Sequence, residues 1–145
     1  MSAMMLLWAF TFSSLPIEDN GILQLELENI ESFSGSIRIA IYDNADAFEN
    51  EGTVVWSQVV SNLKEERVTL QVTELPFGHY AIALYHDVND NDQLDKNNFG
   101  IPTEPYAFSN NPKVKWKPPS YKDSKFHFSR NNQELSMTLK KWSKQ

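Results

Sequence analysis

The residues best suited to chemistry lie in one stretch, HDVNDNDQLDKNNFGIPTEPYAFSNNP, from His86 to Pro112. Between Asp87 and Gly100 it carries four Asp and four Asn with almost nothing apolar. Carboxylate and carboxamide oxygens are hard donors, so the chemistry they suggest is capture of a hard cation. Ca²⁺ takes roughly 6–8 oxygen ligands, and a loop of about 12 residues supplies them from positions 1, 3, 5, 7, 9 and 12. With Asp87 at position 1, Asn89, Asn91, Gln93 (through its carbonyl) and Asp95 fall on the next four ligand positions. Leu94, between the last two, is expected to tuck into the core.

Two positions depart from that template. Asp92 stands where Gly is usual because the turn needs a positive φ, a conformation that Asp tolerates better than most residues. Asn98 stands where a bidentate Glu would close the cage. With Asp87 and Asp95 as its charged members, the loop is expected to hold Ca²⁺ weakly, as a structural ion at millimolar extracellular concentration. Asp92, Asn98 and Glu104 are additional candidate ligands. Mg²⁺ suits the loop less well, since it demands near-octahedral geometry. The competing reading is a turn-rich loop whose Asn and Asp side chains bond their own backbone.

Other chemistry is less well supported. His86 beside Asp87, with Glu104 further on, could form a general acid–base group. His79 and His127 have no zinc-ligand spacing. No nucleotide loop and no serine-nucleophile elbow is present. Phe99, Tyr106 and Phe108 beside Glu104 either line a shallow groove or form a satellite cluster that pins a long loop.

The elements that must position this loop show a period of two. Leu23, Leu25 and Leu27 alternate with polar residues, as do Ile37, Ile39 and Ile41, then Val68, Leu70 and Val72. Tyr80, Ile82 and Leu84 follow, and after the loop Phe126 and Phe128, then Leu135, Met137 and Leu139. Alternation of this kind belongs to half-buried antiparallel strands. With TVVWSQVV added, the pattern predicts an all-β fold: a seven-stranded antiparallel Greek-key sandwich, Ig-like or prealbumin-like, with one long ordered loop. Short helical turns are expected in NADAFENEG and SNLKEE. In ELPFGHYAIAL, Tyr80 is expected to bond back to the preceding corner, with Gly78 supplying an unusual backbone conformation.

Bulk properties narrow the partners. The chain has 145 residues, 41% hydrophobic and 22% charged, enough for one domain with one core. A net charge of -6 removes the broad basic face that nucleic acid requires. The local exception, Lys113-Val-Lys-Trp-Lys117, reads as a solvated edge. No cysteine is present, which excludes disulfides and thiolate chemistry. Residues 1–20 resemble a signal peptide, with an apolar run from Ala3 to Phe12 and possible cleavage near Ser13 or Ser14, or else form a buried or frayed N-terminal apolar segment. That run is shorter than the about 20 residues of a membrane span. Residues 21–145 form the sandwich domain, with no integral membrane span in the mature domain and a periplasmic or secreted location.

The segment from Leu75 to Asn111 resembles a bacterial family known as domain of unknown function 2141. Its members carry LP-x-G-x-YA, then HD-x-N-x-N-x-x-LD, then GIP-x-E-x-Y-x-FSNN, and the similarity extends over roughly Leu23 to Trp142. The resemblance implies an exported β-sandwich and no established activity. It departs at Asp92, where the family usually has Gly. Three functions are therefore weighed. The first is a non-enzymatic exported module whose calcium-type loop serves a binding or structural role toward a protein, glycan or small molecule. The others are a carrier of a small apolar ligand and a hydrolase using His86, Asp87 and Glu104.

Overall fold

A computed structural model describes residues 19–142. In chain order the elements are β1 (Asn20–Glu28), β2 (Ser36–Tyr42), α1 (Ala45–Glu49), β3 (Trp56–Val60), β4 (Val68–Pro76) and β5 (Gly78–Asp87). They continue as β6 (Tyr106–Phe108), α2 (Tyr121–Ser124), β7 (Phe126–Phe128) and β8 (Gln133–Thr138). One sheet has the order β4-β1-β8 and the other β3-β2-β5-β6, with β7 on the first residues of β5.

The period-two pattern decides which side chains meet between the sheets. Leu23, Leu25, Leu27, Ile37, Ile41, Ile82, Phe128 and Met137 are completely buried, in one cluster that draws on both sheets. At about 1.5–3 kcal/mol per fully buried large apolar side chain, this cluster is the main stabilising term of the fold.

The all-β architecture matches the sequence pattern, with three corrections. Eight strands form and not seven, because Tyr106–Phe108 leaves the long loop to pair with Ala83–Tyr85 of β5. The sandwich is not wholly antiparallel: β1 and β8 run parallel, from Leu23↔Gln133 to Glu28↔Thr138. Tight turns force neighbouring strands to reverse, but β1 and β8 are separated by the rest of the domain and escape that constraint. SNLKEE forms no helix, while NADAFENEG does supply α1, capped by Asn44 accepting from the N–H of Ala47.

The corner from β4 to β5 carries the chain from one sheet to the other. Val72 pairs with Leu23 and Leu75 with Gly21, so three steps on β4 oppose two on β1. That bulge turns Leu75 inward, and Glu74 adopts the left-handed conformation (φ 60°) that permits it. Gly78, expected to take the special conformation, has no positive φ. The Tyr80 hydroxyl donates to the Pro76 carbonyl at 2.7 Å, as the sequence implies. Tyr80→Phe should lower unfolding free energy by about 1 kcal/mol. Urea unfolding checks this, and an unchanged midpoint would leave the corner without an energetic role.

Candidate functional site

The long loop leaves β5 at Asp87 and returns at β6. Its organising group is the Asp87 carboxylate, which is completely buried. Oδ1 accepts from the N–H of Asn91 at 3.0 Å, and Oδ2 accepts from the N–H of Asp92 and from Arg38 Nε, both at 2.9 Å. Burial alone pushes this carboxyl up. The Asp92 N–H, the Arg38 guanidinium and the Asn91 N–H together outweigh that and hold it below the ordinary range. Arg38 also bonds Asp92 through its other arm.

A second carboxylate closes the far side of the loop. Glu104, only 6% exposed, accepts from the N–H of Val88 on one oxygen (2.9 Å) and from the N–H of Asp95 on the other (3.0 Å). The loop is thus gathered on two buried acids that take up its otherwise unpaired N–H groups. Asp90 is drawn in as well, accepting from Ser36 Oγ at 2.7 Å.

Of the predicted metal ligands, Asn89, Asn91 and Asp95 come together. The amide nitrogens of Asn89 and Asn91 each lie 2.7 Å from an oxygen of Asp95, at an exposed part of the loop. Asp92 takes the left-handed conformation expected at its position, with φ 66°. Both oxygens of Asp87 accept hydrogen bonds within the fold, Oδ1 one and Oδ2 two. Gln93 is exposed, its N–H bonded to Asn91 Oδ1. Asn98 is exposed in the turn closed by the Gly100 N–H on the Asn97 carbonyl. Leu94 is only half-buried and lies outside the core. Among the described residues, no three acidic or imidazole side chains form a metal-holding group.

The acid–base grouping is buried, and its members are bonded inside the fold. His86 is completely buried, and its Nε2 donates to the Ser34 carbonyl at 2.7 Å, while Nδ1 has no partner among the described residues. Asp87 and Glu104 are occupied as described. The proposed aromatic groove also separates: Phe99 is 88% exposed, whereas Tyr106 and Phe108 pack 5.9 Å apart. Phe108 joins a small cluster with Tyr42, Phe48 and Tyr121 beside α1 and α2.

Sequence reasoning missed the other half of the site. Ser34, Gly35, Ser36 and Arg38 at the start of β2 form its cradle. A Cβ on Gly35 would stand 2.0 Å from the Asp87 carbonyl oxygen, and its φ is 74°, so only glycine lets the loop approach. The available signal was Arg38, a lone cation amid the alternation of SIRIAIY. The FSNN motif, Phe108–Asn111, turns the chain through the Asn111 N–H on the Phe108 carbonyl and also fastens it: Ser109 Oγ accepts from the Ile82 N–H and donates to the Ser124 carbonyl. Asn110 donates to the Lys125 carbonyl, and Asn111 grips β8 through the Ser136 carbonyl and the Thr138 N–H.

The fold and this loop define a class: a two-sheet β-sandwich bearing a long polar loop fastened by buried carboxylates. The chain belongs to the family described as an uncharacterized protein conserved in bacteria, domain of unknown function 2141, which matches residues 25–136. No curated protein and no solved structure matches it.

Asp87 makes stability depend on acidity with a definite sign. Its folded pKa lies below the unfolded value of about 3.9, so its contribution is full above that value. It is lost as pH falls through the lower folded value. Asp87→Asn should cost about 1–3 kcal/mol at neutral pH, since Arg38 keeps Asp92, and flatten the acid limb of the stability curve. Urea titrations of both proteins between neutral pH and strong acid measure it; parallel acid limbs would refute the assignment.

Proposed function

We propose that this protein is a non-enzymatic, exported β-sandwich module whose 87–105 loop is a display surface stabilised by weakly bound Ca²⁺. The observation that carries the reading is the meeting of Asn89, Asn91 and Asp95. An Asn side chain presents an oxygen in place of its nitrogen after a half-turn of the amide, with no change in shape. Two such turns would bring the amide oxygens of Asn89 and Asn91 to the carboxylate of Asp95, the turn of Asn91 giving up the bond that its Oδ1 accepts from the Gln93 N–H. The positive φ of Asp92 gives the loop the bend such cages need. Arg38, paired to Asp87 and Asp92, offsets negative charge nearby and sets the affinity low.

The engagement of His86, Asp87 and Glu104 inside the fold favours a binding or structural role over hydrolysis. Export rests on the apolar run Ala3–Phe12, which lies outside the described residues. Among the described residues, no helix is long and apolar enough to cross a membrane.

Thermal unfolding in Ca²⁺, Mg²⁺ and chelator tests the ion. At about ten times the dissociation constant, Ca²⁺ should add about 1.4 kcal/mol, a rise of a few degrees in Tm. Mg²⁺ at equal concentration should do less. Asn89→Ala with Asp95→Ala should abolish the calcium response. A response that survives the double substitution, or none in the native protein, removes the ion from the account.

A further inference from the structure

A second feature lies apart from the loop, where the two sheets meet. The backbones of Tyr106 and Lys140 exchange two hydrogen bonds, at 3.0 and 2.9 Å, joining the end of β8 to β6. Over this seam lies a cleft of ≈ 400 Å³, within the range of about 300–1,000 Å³ typical of ligand sites. One wall is the segment Lys113–Trp116 and the other is Lys140–Trp142, with Tyr106 and Phe108 in the floor.

The lining is unlike the rest of the molecule. Four lysines (113, 115, 140 and 141) face the cleft and no Asp or Glu lines it, in a chain of net charge -6. Lys141 is paired with Glu31 at 3.3 Å; among the described residues the other three have no ion pair. Trp116 is 83% exposed, an unusual position for the largest apolar side chain. Its ring lies 6.4 Å from that of Trp142 and is inclined to it by 54°. The Trp142 indole N–H donates to the Lys115 carbonyl at 2.8 Å, which ties its ring to the opposite wall. The edge expected over Lys113–Lys117 is solvated, its lysines exposed, and Lys113–Trp116 of it form one side of a concave surface.

We infer that this cleft binds an acidic carbohydrate, the indole faces of Trp116 and Trp142 stacking on sugar rings while Lys113, Lys115 and Lys140 pair with their carboxylate or sulfate groups. The inclined, open Trp pair presents two separate faces and not a parallel slot for a nucleobase. The cations are lysines, flexible point charges that tolerate varied anion positions, and not arginine forks matched to phosphate. A concave lining suits a chain-like ligand better than a flat lipid surface. The inference is independent of the calcium reading, because it uses no residue between 87 and 105.

Isothermal titration of the full chain with oligogalacturonate and with a neutral oligosaccharide of equal length, in chelator, tests it. The acidic oligosaccharide should bind and the neutral one should not. Affinity should fall roughly tenfold or more between about 0.05 and about 0.5 M salt. Trp116→Ala, and Lys113→Gln with Lys115→Gln, should each weaken binding roughly tenfold or more at an unchanged melting temperature. Three outcomes overturn the assignment: equal binding of the neutral sugar, binding untouched by these substitutions, or no binding of sugar at all. Binding only to phosphatidylglycerol vesicles, run in parallel, would do the same and make the cleft a membrane contact.

Discussion

A carboxylate that is completely buried must either give up its charge or be surrounded by donors, and Asp87 is surrounded. That constraint shapes more of the molecule than any apolar contact outside the core. Two of its donors are N–H groups four and five residues ahead, which bend the chain back on itself as soon as β5 ends. The third is Arg38 from the neighbouring strand, so the bend is locked to the sheet and not merely to itself. Removing one partner would leave an uncompensated charge in a poorly solvated place. The loop therefore has little freedom to take another course, although it has few apolar residues to bury.

The same economy recurs down the loop. Glu104 holds Val88 and Asp95 from below, Asn97 Oδ1 accepts from the N–H groups of Phe99 and Ile101, and Ser109 to Asn111 reach α2 and β8. Each short polar side chain substitutes for a strand partner that the backbone lacks. A long connection in a compact domain is ordinarily mobile, since nothing offsets its conformational entropy. Here the offset comes from charge-assisted hydrogen bonds, stronger than neutral ones, at the two points where the loop meets the sheet.

How much of this could be read in advance follows from the range of each signal. Alternation is local, so β1, β2, β4, β5 and β8 are legible, as is the inward face of each. The Tyr80 corner is legible because donor and acceptor are four residues apart. The parallel pairing of β8 with β1 is not, because nothing in either strand encodes its direction relative to a partner a hundred residues away. The cradle at Ser34–Arg38 is hidden for the same reason: its residues matter only after β2 and β5 have paired. The acidic loop is legible as a constellation but not in its division of labour. Composition marks Asp87 and Asp95 as equals, while burial makes one a structural anchor and leaves the other half-exposed beside two amides.

That division separates what the motif does for folding from what it leaves for function. Of HD-x-N-x-N-x-x-LD, GIP-x-E and FSNN, the His86, Asp87, Glu104, Ser109 and Asn111 side chains are spent on bonds inside the domain. Four of these, His86, Asp87, Glu104 and Ser109, are also buried, which keeps them from a ligand in solution even where an atom, as at His86 Nδ1, has no partner among the described residues. What remains with tips toward solvent is the set Asn89, Asn91 and Asp95, together with the lysine-lined cleft outside the motif. On the readings proposed above, the first would offer oxygens to a cation once its two amides turn, and the second cations and aromatic faces to an anion. Both places are built on one sheet: the loop leaves at the end of β5, and Tyr106 and Phe108 of its neighbour β6 line the cleft.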